Sequence, residues 1–196
     1  MVKYMNKEAQ QKCQSILERT EYYDDEGEWR IADSDWLLMS GSTLRSWVKV
    51  TEQILGPDAK AIMYMTGQHA GEQVVKALQK QGLQAEELTC ALEIFLTNGG
   101  WGKVLAKVNF PKQTATVRIR NSVTTRTTKA KEPTCDFISG YIAGALSQIF
   151  GKKTDCVETS CRAMGDSFCE FRAVGTAKGK PSNLEKRKKW SAKDLA

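Results

Sequence analysis

Residues 135–171 decide the fold, and they read CDFISGYIAGALSQIFGKKTDCVETSCRAMGDSFCEF. The first part is apolar at almost every helical position and ends at Gly151, a pattern that predicts a buried helix. The second part predicts two strands, DCVETSC and SFCEF, on either side of the turn RAMGD. The second part thus holds three cysteines and a glutamate on one short hairpin, and the question is whether they bind a metal, react as thiols or fill a core.

The sequence before this stretch predicts three helices and another hairpin. Apolar residues spaced by three and four predict a helix over 42–55 that ends at Gly56-Pro57, and further helices are predicted over 59–81 and 86–96. Gly67 and Gly71 lie four apart in the second helix, which indicates close helix packing more than contact with a ligand. Alternating apolar residues over 104–119 then predict a hairpin with one dry face.

Helices followed by hairpin, helix and hairpin indicate an α+β fold. We expect the helices to pack on one antiparallel sheet made of the two hairpins, with the buried helix between them in the chain.

Charge and polarity divide the 196 residues into three parts. Residues 1–35 predict a peripheral helix and an acidic loop, EYYDDEGEWR, residues 36–174 predict the folded domain, and residues 175–196 form a tail. The tail has seven basic and two acidic residues, so it carries most of the net charge of +6. We expect a solvated linker there, and nucleic-acid contact, if any, only through this tail.

The chain has no apolar run near the ~18 residues of a membrane span, and its N-terminus lacks the apolar core of a signal peptide. We therefore expect a cytoplasmic protein with no membrane span. In a reducing cytoplasm the six cysteines should be thiols, so a cluster of them suggests metal binding or chemistry before disulfides.

A hairpin can bring Glu158, Cys161 and Cys169 together, and Cys135 stands at a helix start, where the amide-rich N-terminus favours a thiolate. Three thiolates and a carboxylate would complete a tetrahedral structural zinc shell. However, free cysteines are common in cores, and an ideal strand points residues three apart to opposite faces. The spacing alone leaves metal and core equally open.

Residues 135–171 closely resemble the 4-vinyl reductase domain, a family of small-molecule-binding modules. The resemblance depends on the upstream cysteine, on SGYIAG and on the pattern E..C..MGD..C.F, whereas GWGKV and GQHAG are vaguer echoes. The family includes sensory domains of phenol- and xylene-responsive bacterial activators and archaeal proteins described as predicted hydrocarbon-binding. Its fold is shared with trafficking-complex subunits.

The resemblance implies a zinc site formed by Cys135, Glu158, Cys161 and Cys169, as in the aromatic-responsive sensors. It also implies an apolar or aromatic ligand and a homodimer. The other three cysteines are expected to be ordinary inward-facing residues outside the metal set; they are Cys13, Cys90 and Cys156.

The sequence offers little for catalysis: it has one histidine, no Ser/His/Asp pattern and no dinucleotide fingerprint. This favours a protein that is not an enzyme. For a ligand pocket, His69 is a candidate polar donor, and Trp101, Phe137 and Tyr141 are candidate aromatic walls. Each of the four is also an ordinary surface or core residue in the simpler alternative.

The function predicted first is a zinc-stabilised sensory or carrier module. Because no ATPase or DNA-binding domain is recognisable after it, we expect it to signal through a partner protein or to carry its ligand. One alternative is an enzyme or accessory protein of tetrapyrrole vinyl reduction. Another is an assembly protein that resembles the trafficking subunits and uses its basic tail as the contact.

Overall fold

The structure is a computed structural model that describes residues 11, 14–15, 21–23, 25, 27–31 and 34–176. The helices and both hairpins predicted after residue 40 are present. The predicted N-terminal helix lies outside the described residues, except for residues 11, 14 and 15, which are helical. Residue 13 and residues 177–196 of the basic tail also lie outside them. The helices bounded in the described part are α1 (Gly41–Leu55), α2 (Ala59–Lys80), α3 (Ala85–Asn98) and α4 (Asp136–Phe150).

A three-stranded sheet precedes the helices and was not predicted. It consists of β1 (Glu21–Tyr23), β2 (Glu28–Ile31) and β3 (Ser34–Trp36). The expectation of an acidic loop at EYYDDEGEWR was therefore wrong. Aromatic residues explain the difference, because Tyr22 pairs with Trp29 across the strands with ring centroids 4.9 Å apart, a contact that stabilises hairpins.

The two predicted hairpins form the second sheet, which is antiparallel and has four strands. The first hairpin consists of β4 (Lys103–Asn109) and β5 (Thr114–Arg120), and the second consists of β6 (Thr154–Ser160) and β7 (Cys169–Gly175). The strand order is β4-β5-β7-β6. Since β5 pairs with β7, the hairpins join side by side, and helices pack on the face that carries the buried residues of β5. The α+β class predicted from the sequence is therefore confirmed.

Helix α4 is the middle layer of the domain and is buried from Ile138 to Leu146. One of its sides packs on the four-stranded sheet, where Phe171 is fully buried, and its other side packs on α2 and α3. None of the helices in the described part combines the length and the apolar character that crossing a membrane requires.

Helices α2 and α4 cross at backbone contact. Gly67 and Gly71 of α2 face α4, and Gly140 and Gly144 of α4 face α2. A Cβ atom added at any of the four would overlap a backbone carbonyl oxygen of the opposite helix. The prediction that the α2 glycines mark close packing is therefore confirmed.

We expect Gly144→Ala to lower the free energy of unfolding by about 1–3 kcal/mol, because the added methyl group overpacks the crossing. Helix propensity alone predicts the opposite sign, a gain of about 1 kcal/mol for alanine over glycine. Urea unfolding of the variant decides between the two. Lys76→Ala, at an exposed position of α2, is the control and should change stability little; a stabilised Gly144→Ala variant would contradict the packing argument.

Candidate metal centre and ligand cavity

Cys135, Glu158, Cys161 and Cys169 come together in the structure. Their ligand atoms all lie within 4.8 Å of one another, with the three cysteines buried and the glutamate half-buried. The sulfur atoms of Cys135 and Cys169 are 3.8 Å apart. Tetrahedral zinc with Zn–S bonds of about 2.3 Å places its sulfur ligands about 3.8 Å apart. The geometry is therefore that of a group able to hold a metal ion.

An irregularity in β6 allows Glu158 and Cys161 to converge although they are three residues apart. Glu158 lies opposite Phe171 and Ser160 opposite Glu170, so the register shifts by one residue between them. Such a bulge twists the strand and redirects its side chains. The strand then ends at Ser160, and Cys161 is free of the pleat that would have pointed it away.

The turn after β6 holds the sulfur atoms in place through its backbone. Residues Arg162–Met164 form a single 3₁₀ turn. The N–H of Cys161 donates to Oδ2 of Asp166 at 2.7 Å, and the N–H of Arg162 points at the sulfur of Cys169 at 3.5 Å. Gly165 has a φ of +106°, a backbone conformation that favours glycine. These contacts explain the local role of the RAMGD sequence.

Three threonines surround the cluster and were not singled out from the sequence. Their hydroxyl oxygens lie near the sulfur atoms: Thr124 at 3.3 Å from Cys135, Thr125 at 3.8 Å from Cys169 and Thr134 at 3.9 Å from Cys161. Groups of this kind orient metal ligands and temper the charge of thiolates. The sequence showed only a polar stretch between β5 and α4, without a periodicity that would mark these residues.

Negative charge is concentrated in the cluster. Burial, together with the charge of the Cys161 thiolate, raises the pKa of Glu158 to about 8. One carboxylate oxygen of Glu158 accepts a hydrogen bond from the N–H of Cys135 at 3.0 Å, and the other is buried with no hydrogen-bond partner among the described residues. An acceptor oxygen aimed at three thiols is well matched by a cation, and this sulfur-rich donor set fits zinc.

The remaining cysteines of the described part lie outside the cluster. Cys156 is buried on β6, where its N–H donates to the hydroxyl of Tyr64 at 3.1 Å, and Cys90 is buried on α3. Cys13 lies outside the described residues.

A small cavity of about 40 Å³ lies between α3, α4 and the first two strands of the four-stranded sheet. Two of its polar lining groups are Glu93, whose carboxylate accepts from the N–H of Ala106, and Tyr141, whose buried hydroxyl has no hydrogen-bond partner among the described residues. Burial raises the pKa of both side chains. The apolar walls include Leu92, Leu96, Val104, Val117, Ile142 and Leu146.

The structure separates the four candidate ligand residues. Tyr141 lines the cavity, and Trp101 stacks on Tyr141 and Phe137 with ring centroids 6.4 and 5.6 Å apart. Neither Trp101 nor Phe137 lines the cavity itself, and His69 is exposed on α2. Glu93 was missed because an acidic residue in a helical pattern normally faces water.

Comparison with protein families identifies the second half of the fold. Residues 115–174 match the family model of the vinyl-4-reductase domain. The chain contains a vinyl-4-reductase domain. The match runs from β5 to β7 and includes all four residues of the cluster, so the resemblance drawn from the sequence is confirmed.

Similarity to curated proteins is confined to short segments. Three uncharacterized proteins of Methanocaldococcus jannaschii match: MJ1642 with 40% identity over 40 residues, MJ0855 with 32% over 75 and MJ0150 with 46% over 37. These segments cover 20%, 37% and 19% of this chain. The chain thus spans only 25%, 32% and 21% of the lengths of these relatives.

Solved structures share the fold of the vinyl-4-reductase domain together with the helices before it. The phenol-responsive sensory domain of the transcription activator PoxR, solved with phenol, has a TM-score of 0.73 and 18% identity and covers 87% of this chain and 92% of its own. A trafficking protein particle complex subunit 3 from Naegleria fowleri, covalently bound to palmitic acid, has a TM-score of 0.55 and 15% identity, covering 70% and 93%. A vinyl-4-reductase family protein from M. jannaschii has a TM-score of 0.51 and 16% identity, covering 90% and 100%. At these identities the similarity shows the fold alone.

Proposed function

We propose that the chain is a small-molecule-binding module with a sensory or carrier role, in which a structural zinc ion fastens the vinyl-4-reductase domain and an apolar or aromatic ligand enters the cavity beside Tyr141. The buried Tyr141 hydroxyl without a partner is the observation that carries this proposal. The shared fold with the PoxR sensory domain, which was solved with phenol, supports it. The five buried thiols of the described part fit the reducing cytoplasm favoured by the sequence.

The chemistry of the cavity restricts the ligand. A buried hydroxyl left without a hydrogen bond costs about 1–3 kcal/mol, so a ligand with one polar atom at Tyr141 gains that bond in addition to apolar burial. The apolar walls favour a hydrocarbon body. Because a cavity that accepts benzene measures about 150 Å³, the present 40 Å³ must widen on binding. A single substituted ring is therefore the largest ligand that we expect there.

Phenol and toluene test the role of the hydroxyl. We expect wild-type protein to bind both, and Tyr141→Phe to weaken phenol binding about threefold to tenfold while toluene binding stays the same, because a neutral hydrogen bond contributes about 0.5–1.5 kcal/mol. Isothermal titration calorimetry gives both affinities.

Ala145→Leu is the companion variant, since Ala145 lines the cavity and the larger side chain fills it. It should abolish binding of both compounds. If neither compound binds the wild-type protein, the cavity does not accept a single ring; if Ala145→Leu still binds them, they bind elsewhere.

The proposed zinc would fasten the last hairpin to the start of α4. Cys135 is the N-cap residue of α4, whereas Glu158, Cys161 and Cys169 belong to β6, β7 and the turn between them. Metal bonds across these elements would replace contacts that the short 3₁₀ turn cannot make. The ion would have a structural role, because the four protein ligands complete its shell.

We expect protein purified without added zinc to contain one zinc ion per chain, as measured by inductively coupled plasma mass spectrometry. Cys169→Ser should lose the metal and lower Tm by about 10 °C or more, because structural zinc contributes about 10–16 kcal/mol of apparent binding free energy and each kcal/mol corresponds to roughly 2–4 °C in a chain of this size. Cys156→Ala and Cys90→Ala are controls that should retain the metal. A zinc content near zero in wild-type protein would refute the assignment.

The outer face of α1 supports association with a second copy. The helix was predicted to be amphipathic, but Leu44 is its one buried residue, and Ile54 is 74% exposed. Monomeric proteins rarely expose a continuous apolar patch of more than a few hundred Å². Exposed apolar residues on this face of α1 and the start of α2 include Trp47, Val50, Ile54, Leu55, Ile62 and Met65.

We therefore expect a homodimer in solution that Ile54→Asp converts to a monomer, because the change places a charge in the apolar contact. Size-exclusion chromatography with light scattering measures the mass. Leu105→Asp is the matched control, since Leu105 is also an exposed apolar residue but lies on β4. A wild-type monomer, or loss of the dimer in the Leu105 variant alone, would argue against this face.

A further inference from the structure

A second and much larger pocket lies outside the cavity beside Tyr141. It is a groove of about 570 Å³ between the N-terminal strands, the start of α1 and the turn that follows α3. This volume falls within the range of about 300–1,000 Å³ that is typical of ligand pockets. The groove and the cavity share no lining residue. The groove therefore needs an explanation of its own.

Aromatic side chains wall the groove and are held in place. The Trp36 ring packs on Phe95 with centroids 4.4 Å apart, and its indole N–H donates to the carbonyl of Ile31 at 3.3 Å. Trp101 is stacked on Phe137 behind the wall, and Trp29 completes the aromatic surface. Fixed aromatic rings present a large apolar area at little entropic cost. These walls suit an apolar or aromatic body.

The charge of the groove has one sign. Arg126 is the single charged side chain among the residues that line it, and within the described part of the chain no carboxylate forms an ion pair with it. Its Nε–H donates to the carbonyl of Asn121 at 3.2 Å, and one N–H of its terminal nitrogens donates to the carbonyl of Gly100 at 3.0 Å. The guanidinium is thus fixed at the rim, and three of its five N–H groups stay available.

The backbone adds to this positive potential. Helix α1 begins at Gly41, which also lines the groove, and its first turn has no acidic residue. The N-terminus of a helix carries partial positive charge. An anionic group near Arg126 would therefore be attracted by the guanidinium and by the helix together.

We propose that this groove is a second binding site, for an organic carboxylate with an apolar or aromatic body. Its carboxylate pairs with Arg126, whose planar fork matches two carboxylate oxygens, and its body lies against Trp36, Phe95 and Trp101. A neutral hydrocarbon would leave the fixed cation unmatched. This site lies beyond the function proposed for the interior cavity and does not depend on it.

The test uses 1-naphthaleneacetate and its neutral analogue 2-(1-naphthyl)ethanol. Calorimetry measures affinity, and tryptophan fluorescence reports occupancy because three tryptophans line the groove. We expect the carboxylate to bind wild-type protein at least about tenfold more tightly than the alcohol, and Arg126→Gln to remove that preference without weakening the alcohol. Arg120→Gln, at an exposed position of β5, is the control and should keep it.

A second variant leaves Arg126 and its backbone contacts intact. Leu38 lines the groove and is 84% exposed, so Leu38→Glu adds a competing carboxylate without disturbing the core. It should weaken binding of the carboxylate and spare the alcohol. Equal binding of the two probes to wild-type protein, no binding of either, or full affinity for the carboxylate in both variants would overturn the proposal.

Tyr141→Phe separates the two sites. Binding of 1-naphthaleneacetate should not change in this variant, and phenol should not displace the probe. Displacement by phenol would place the probe in the interior cavity and would also overturn the groove site, whereas failure of phenol to bind at all would affect the interior cavity alone.

Discussion

The backbone contact between α2 and α4 is the constraint on which the rest of the structure depends. Four glycines allow the helices to approach until the carbonyls of one occupy the space of the missing side chains of the other. Such an interlocked contact fixes both the rotation and the axial position of α4, because a shift by one residue would put a side chain against a backbone. A hydrogen bond from the N–H of Cys156 to Tyr64 then ties α2 to the edge of the sheet.

The fixed position of α4 places two functional features at defined points of one helix. Cys135 caps its N-terminus within the metal cluster, and Tyr141 lies six residues later, about 9 Å along the axis, in the wall of the cavity. A ligand that widened the cavity by moving α4 would also move Cys135 relative to the hairpin. Zinc at the cluster would resist that movement, so cavity expansion should come from side chains such as Leu92 and Leu146.

Local patterns predicted much of this arrangement, and long-range contacts account for what they missed. The helices after residue 40 and both hairpins follow from periodicity and from glycine and proline ends. The cluster of Cys135, Glu158, Cys161 and Cys169 could be predicted from a signature within 35 residues of sequence. The bulge that lets Glu158 face the cysteines depends on the partner strand β7 and has no counterpart in the spacing. The misses share this cause: the charge of EYYDDEGEWR hid a cross-strand aromatic pair, and Thr124 meets a sulfur atom only when β5 and α4 are brought together.

The two pockets differ in the polar group that each can present, and depth explains the difference. Tyr141 is buried, and a neutral hydroxyl can remain there at a cost that one hydrogen bond recovers, whereas a buried guanidinium would need a paired charge. Burial also raises the pKa of Glu93, which favours its neutral form and keeps the cavity unsuited to anions. Arg126 stands at the rim, where water solvates the cation until a carboxylate replaces it. Neutral rings are thus matched to the interior and organic anions to the groove, and selection between them follows from desolvation rather than from shape alone.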